Sequence, residues 1–260
     1  MSSAMFDLSG KTALITGGTR GLGKSIATIL AKNGVSVALN YRRDDESAKA
    51  ALAEVSAVAP GAMLAKADLA DDASVRAMVA EVVKQFGKID LLIANAAATA
   101  FKPLLEVQPH HLKRTFDLSV GGFLAAAQES VKNMGAGGRI IMVSGIDSVR
   151  MLPGHGVLGA AKSALESIVR DLAFELGPRE ITVNGVNVGY IDTDSSRFYF
   201  GAEFDTMTRR SATRSAIGRV PRLEEIAAVV CLLCMPEASY LTGQTIMVDG
   251  GLSLGFPLAP

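Results

Sequence analysis

Short apolar runs rich in β-branched residues alternate along this chain with longer stretches at helical period. The runs fall at residues 12–16, 35–40, 62–67, 90–94, 139–144, 181–188 and 245–248, and the pattern predicts seven strands there. Between them, apolar positions recur every three to four residues over 22–32, 46–58, 72–85, 112–134, 156–176 and 224–235, which predicts helices. Strands apolar on both faces and separated by helices build a parallel sheet covered on each side. The expected fold is therefore α/β, a doubly wound parallel seven-stranded sheet. No Ser/Pro/Gly-rich linker divides the chain and no repeat is visible, so residues 1–260 read as a single domain.

Residues 190–218 depart from this pattern. They are polar, weakly periodic and crowded with aromatics between Arg197 and Phe204. A long irregular insertion after a late strand reads as a substrate lid, because open α/β sheets bind ligands beyond the carboxyl ends of their strands. The alternative is a surface excursion whose aromatics fill a satellite core.

Composition narrows the function classes. The chain is 49% hydrophobic and 20% charged, enough apolar material for a large core, which excludes disorder. Lys+Arg and Asp+Glu balance at 26 each, so no field directed at nucleic acid is expected. No run of about 18 uncharged apolar residues occurs, so no membrane span is expected, and the opening residues lack the basic start of a signal peptide. Cys231 and Cys234 lie in an apolar run and read as core rather than redox chemistry, and His110-His111 lack a third ligand in register, so no metal is expected. A cytoplasmic protein is the expectation.

The first strand runs into Thr16-Gly17-Gly18-Thr19-Arg20-Gly21-Leu22-Gly23 and then a helix. Glycines there allow a tight turn and close approach of backbone to a pyrophosphate, while the helix N-terminus offers free N–H groups. The spacing Thr-Gly-x-x-x-Gly-x-Gly resembles the short-chain dehydrogenase/reductase superfamily, and the resemblance extends over essentially the whole chain. It implies a Rossmann-like fold and a nicotinamide cofactor. It also implies adenine contacts from Asp68 and Leu69, ribose contacts from Asn95 and Ala96, and nicotinamide contacts from Ile191 and Thr193, with Val188 where a proline is usual. The second strand ends in Asn40-Tyr41-Arg42-Arg43, with no carboxylate until Asp44, and Arg20 lies in the glycine loop facing it. Guanidinium groups around that polar pocket suit a 2′-phosphate, so NADPH is the expected cofactor, the alternative being arginines that cap a strand in solvent.

The superfamily's usual tetrad is Asn, Ser, Tyr and Lys. The resemblance gives Lys162 the role of holding the nicotinamide ribose. The other three positions carry Asp117, Gly145 and Leu158 instead. By motif the chain is most similar to the enoyl-acyl-carrier-protein reductase III branch, through Ser148-Val149-Arg150, the stretch Gly159 to Glu166, Ile191 to Asp194 and Gly243 to Ile246. Enoyl reductases of the superfamily commonly place their tyrosine seven residues before the lysine, and His155 stands there. Imidazole can donate a proton near neutrality, so His155 is the preferred donor, against a plain turn histidine. Ser144, Asp147, Ser148, Tyr190 and Tyr199 remain as substitutes, and Asp117 is expected to hold a water beside Lys162 or to pair with that lysine.

The expected function is an NADPH-dependent reductase acting on the conjugated double bond of an acyl thioester, either free or carried on an acyl-carrier protein. The rivals are a carbonyl or imine reductase with a relocated donor and a cofactor-binding protein without turnover. Lys102, Arg150, Arg209, Arg210 and Arg214 are expected at the pocket mouth, facing an acidic carrier or coenzyme A phosphates, or simply solvent. The resemblance implies a homodimer or homotetramer formed through the helices at 112–134 and 156–176.

Overall fold

All seven strands pair parallel in one sheet, β1 (Thr12–Ile15), β2 (Ser36–Tyr41), β3 (Ala62–Lys66), β4 (Leu91–Ala94), β5 (Arg139–Gly145), β6 (Thr182–Val188) and β7 (Thr245–Val248), ordered β3-β2-β1-β4-β5-β6-β7. The computed structural model describes residues 7–59 and 61–255. The helices are α1 (Gly21–Lys32), α2 (Asp45–Ser56), α3 (Asp72–Phe86), α4 (Pro109–Phe116), α5 (Gly122–Val131), α6 (Gly156–Leu176), α7 (Asp194–Phe200), α8 (Phe204–Arg214) and α9 (Leu223–Cys234). Strand residues alternate between two separate cores. Leu14, Leu92 and Ile140 pack with α3, α5 and α6 on one face, whereas Ile15, Ile93 and Ile141 pack with α1 and α9 on the other. Burial on both faces is why β4 and the middle of β5, Ile140 to Val143, are continuous apolar runs. The strand order reverses between β1 and β4, and this switch opens a crevice at the carboxyl ends of the strands. Cys231 and Cys234 are buried in the second core. No helix among the described residues is long and apolar enough to cross a membrane.

Two expectations need correction. The stretch 112–134 is not one helix. A π-helical turn, Asp117–Gly121, separates α4 from α5 and shifts the register so that Gly122 packs on the carbonyl of Leu69, where an added Cβ would stand 2.5 Å from the oxygen. Residues 190–218 are not irregular either, because they fold into α7 and α8. Thr193 caps α7 by accepting from the Ser196 amide, and Gly201, at φ +48°, ends it. Helical periodicity is weak there because α7 buries no residue and α8 buries only Phe204. The apolar side of this pair faces a cavity rather than a core. Arg197 holds Asp192 at 2.6 Å and lies over the Phe204 ring at 4.4 Å, fixing the two helices to each other.

The packing at Gly122 generates a stability test. Gly122→Ala, which forces the Leu69 loop off the start of α5, should destabilise the protein by about 1–3 kcal/mol. The measurement is the urea midpoint, expected to fall without a change of slope.

Candidate active site

Three cavities follow one another along the carboxyl edge of the sheet. The first, of about 320 Å³, lies beyond β2 and is bordered by Thr19, Arg20, Asn40, Arg42, Asp68 and Leu69. The second, of about 250 Å³, lies beyond β1 and β4 and is bordered by Gly21, Leu22, Asn95, Ser144 and Lys162. Gly17, Arg20 and Ala96 belong to both. The third, of about 400 Å³, is mostly apolar, lies beneath α7 and α8, and meets the second at Lys162, Ile191 and Thr193. The trough runs from the arginines to the aromatics with the lysine at its bend.

Hydrogen bonds within the crevice hold the glycine loop. Thr16 Oγ1 accepts from the amides of Asn95 and Ala96 at 2.9 and 3.1 Å. Asn95 Nδ2 donates to the carbonyls of Thr16 and Gly17, and the Gly17 amide donates to Asn40 Oδ1 at 3.2 Å. Asn40 also donates to the Ala65 carbonyl, so its buried amide locks β1, β2 and β3 to the loop. Gly23 has no room for a side chain, since a Cβ there would stand 2.1 Å from the Gly17 carbonyl oxygen. Asn40 and Asn95 thus border the cavities with side chains committed to shaping the loop. Asp68 is similarly engaged, accepting from the Ala70 amide and from Arg114 at 2.9 Å.

Charge is uneven along the trough. Among the described residues neither Arg20, Arg42 nor Arg43 has a carboxylate within ion-pair distance, although all three border the first cavity. Asp44 also borders it. The Ser47 hydroxyl and amide hold that carboxylate below its ordinary value while it caps α2. A shaped loop at a helix N-terminus, continuous with unpaired guanidinium groups, fits a dinucleotide with its pyrophosphate on the loop.

Lys162 is buried on α6 and donates from Nζ to the Val143 carbonyl at 2.6 Å. Burial pushes its pKa down to about 8, against the opposing pull of Asp147 and Glu166. Asp117 does not join it. The Asp117 carboxylate, half-exposed on the π turn, pairs instead with Lys113 at 2.6 Å, because the turn directs it back along α4. The expected direct pairing with Lys162 is not seen among the described residues, the carboxylate being taken by Lys113.

The remaining hydroxyl candidates are engaged elsewhere. Ser144 and Ser148 donate to Glu166 Oε1 at 2.5 and 2.7 Å. Tyr190 is hydrogen-bonded to Thr208 at 2.7 Å, and Tyr199 donates to the Pro153 carbonyl. His155 differs. Its Nδ1 lies 3.1 Å from Asp147 Oδ2, and its Nε2 is buried with no partner among the described residues. The rings of Phe101 and Tyr199 pack against it with centroids 4.8 and 4.5 Å away, and Leu158, which replaces the usual tyrosine, borders the same cavity. The Asp147–His155 contact and the packing of Phe101 were not legible in the sequence, because these residues lie on irregular segments, after β5 and after β4, that carry no periodicity.

Comparison with known proteins agrees with this geometry. Residues 17–253 match the family described as Enoyl-(Acyl carrier protein) reductase. The chain is 38% identical to 1-cyclohexenylcarbonyl-CoA reductase of Streptomyces collinus, over 95% of this chain and 88% of that protein. It superposes with a TM-score of 0.88 on a short-chain dehydrogenase from Burkholderia cenocepacia in complex with NADP, at 34% identity over 95% of this chain and 99% of that one. A blue fluorescent protein from a metagenomic library, in complex with NADPH, superposes with a TM-score of 0.87 at 34% identity, over 95% and 99% of the two chains.

The buried lysine separates stability from activity. Lys162→Met should abolish turnover without lowering the melting temperature at pH 7, because it removes a desolvated cation. The folded pKa of about 8 lies below the ordinary 10.5, so between these values the unfolded chain binds more protons and the parent gains stability as pH rises. Relative to Lys162→Met, the parent should recover about 3 kcal/mol across that window, measured by denaturant unfolding at several pH values.

Proposed function

The chain belongs to the short-chain dehydrogenase/reductase superfamily and is an NAD(P)-dependent oxidoreductase, and from that premise we propose that it uses NADPH to reduce the conjugated carbon–carbon double bond of an acyl thioester. The observation that carries this reading is His155, a proton donor with an unpartnered Nε2 on the apolar cavity that Lys162 also borders. Reduction of a ketone leaves an alkoxide that takes its proton at oxygen, the task of the missing tyrosine. Hydride addition to an enoyl thioester leaves an enolate, which is protonated at carbon and tolerates a donor set in a different place.

The bound nicotinamide would supply the hydride. Lys162 would hold the ribose hydroxyls at the bend of the trough, and the loop from Gly17 to Gly23 would cradle the pyrophosphate. Arg20, Arg42 and Arg43 would take the 2′-phosphate, which favours NADPH over NADH, in keeping with the NADP and NADPH bound by two related structures. The apolar third cavity would take the acyl group, with α7 and α8 as its lid. Its border also includes Arg150, Arg210 and Arg214, none with a carboxylate at ion-pair distance among the described residues. These suit the phosphates of coenzyme A or of a carrier-bound thioester. The relative that reduces 1-cyclohexenylcarbonyl-CoA supports the thioester assignment. Assembly as a homodimer or homotetramer through α4 and α6 would cover the exposed Leu112 and Phe174.

Two measurements test the proposal. Purified protein should oxidise NADPH in the presence of enoyl-CoA thioesters, including 1-cyclohexenylcarbonyl-CoA, and not with 3-oxoacyl-CoA thioesters. Turnover confined to the 3-oxoacyl set would replace this reading with carbonyl reduction. His155→Phe should lower kcat on the enoyl set by about a hundredfold or more. Separately, Arg42→Ala should raise the NADPH dissociation constant about tenfold and leave NADH binding nearly unchanged, read by cofactor fluorescence titration.

A further inference from the structure

The turn after β5 is bounded by two glycines, Gly145 at the end of the strand and Gly159 on α6, that are tight for different reasons. A Cβ at Gly145 would stand 2.6 Å from Asp147 Oδ1, so any side chain there displaces that carboxylate. A Cβ at Gly159, in the first turn of α6, would stand 2.3 Å from the Asp147 carbonyl oxygen, so the helix seats directly on the Asp147 backbone. The Asp147 side chain thereby reaches His155, the residue that caps α6, and meets it Oδ2 to Nδ1 at 3.1 Å. Both side chains are well buried, at 14% exposure for His155 and 8% for Asp147.

We propose that Asp147 is the positioning residue for His155, that the pair forms an acid–base dyad, and that Gly145 is a glycine because the dyad needs its space. The proposal rests on the reductase reading above, with His155 as donor. A carboxylate only accepts hydrogen bonds, so the contact puts a proton on Nδ1 of the imidazole. The ring then donates from Nε2 only in its doubly protonated form, whose charge the Asp147 carboxylate balances in a poorly solvated site. In the donating step the Nε2–H bond breaks and its electron pair stays on nitrogen. The enolate's electron pair forms the new C–H bond on the carbon beside the thioester carbonyl. The ring is left neutral with Nδ1–H still held by Asp147, and water returns a proton to Nε2. The absence of a hydroxyl at position 145 and the histidine at 155 are then one change rather than two. A side chain at 145 would dislodge the group that orients the donor.

The chain has only three histidines, His110, His111 and His155, so the ring nitrogens of His155 can be assigned by ¹⁵N NMR against His155→Phe. In the parent the neutral ring should be the Nδ1–H tautomer, whereas imidazole in water favours Nε2–H. Asp147→Ala should revert the tautomer and lower kcat on the enoyl-CoA thioesters at least about tenfold with KM and NADPH binding little changed. Gly145→Ser, checked for an unchanged circular dichroism spectrum, should do both as well. An Nε2–H tautomer in the parent overturns the dyad, as does a Gly145→Ser enzyme at parental kcat. Turnover lost in His155→Phe but kept in Asp147→Ala overturns the dyad alone. Full turnover in His155→Phe overturns the donor reading beneath it.

Discussion

A single charged nitrogen organises the catalytic end of this molecule. Lys162 lies inside the protein, where an ammonium group loses most of its hydration, and it donates to the carbonyl of Val143 on β5. That position is reached only because α6 packs flat along β5 and β6, with Leu165 and Val169 buried in the core below the lysine. The same packing brings the dinucleotide trough and the apolar cavity together at the lysine. The pKa of about 8 measures the cost of holding the charge there. The lysine is thus held in a place that costs stability, as is common for groups at functional sites.

The loop around the lysine is stiffened by a partly buried carboxylate. Glu166 Oε1 accepts from Ser144, Ser148 and Asn187, so one oxygen joins β5, the turn after it, β6 and α6. Three donors on one acceptor satisfy the charge that burial would otherwise penalise. They also commit the protons of two hydroxyls, those of Ser144 and Ser148, to that carboxylate. The polar groups of this end divide into a scaffold built on Glu166 and the Asp147–His155 pair, whose Nε2 has no partner among the described residues.

The α7–α8 pair illustrates how a helix escapes pattern recognition. Periodicity in a sequence reports the boundary between core and water, and α7 and α8 face neither in the usual way. Their inner side borders a cavity, where Tyr199, Phe200 and Met207 meet open space suited to a ligand, and the opposite side carries Arg209 and Asp205. Local capping at Thr193 and the break at Gly201 define these helices better than any apolar stripe does.

Much of this protein was written in local pattern. The seven strands, the helices that cover them and the glycine loop between β1 and α1 follow from periodicity and turn chemistry, because each depends on residues within one turn or one strand. The match of Lys162 to the superfamily was equally local, resting on its spacing within α6. What tertiary structure decided are the contacts between segments distant in sequence or joined by irregular loops. Asn40 and Asn95, expected as cofactor contacts, border the cavities and also clamp the loop, through partners that are distant in sequence. Asp117, expected to hold a water beside Lys162 or to pair with it, has its carboxylate on Lys113 instead, at the start of a π turn that a period of 3.6 does not report. The meeting of Asp147 with His155 depends on the width left by glycines at 145 and 159, a steric fact that exists only once β5 and α6 are packed together.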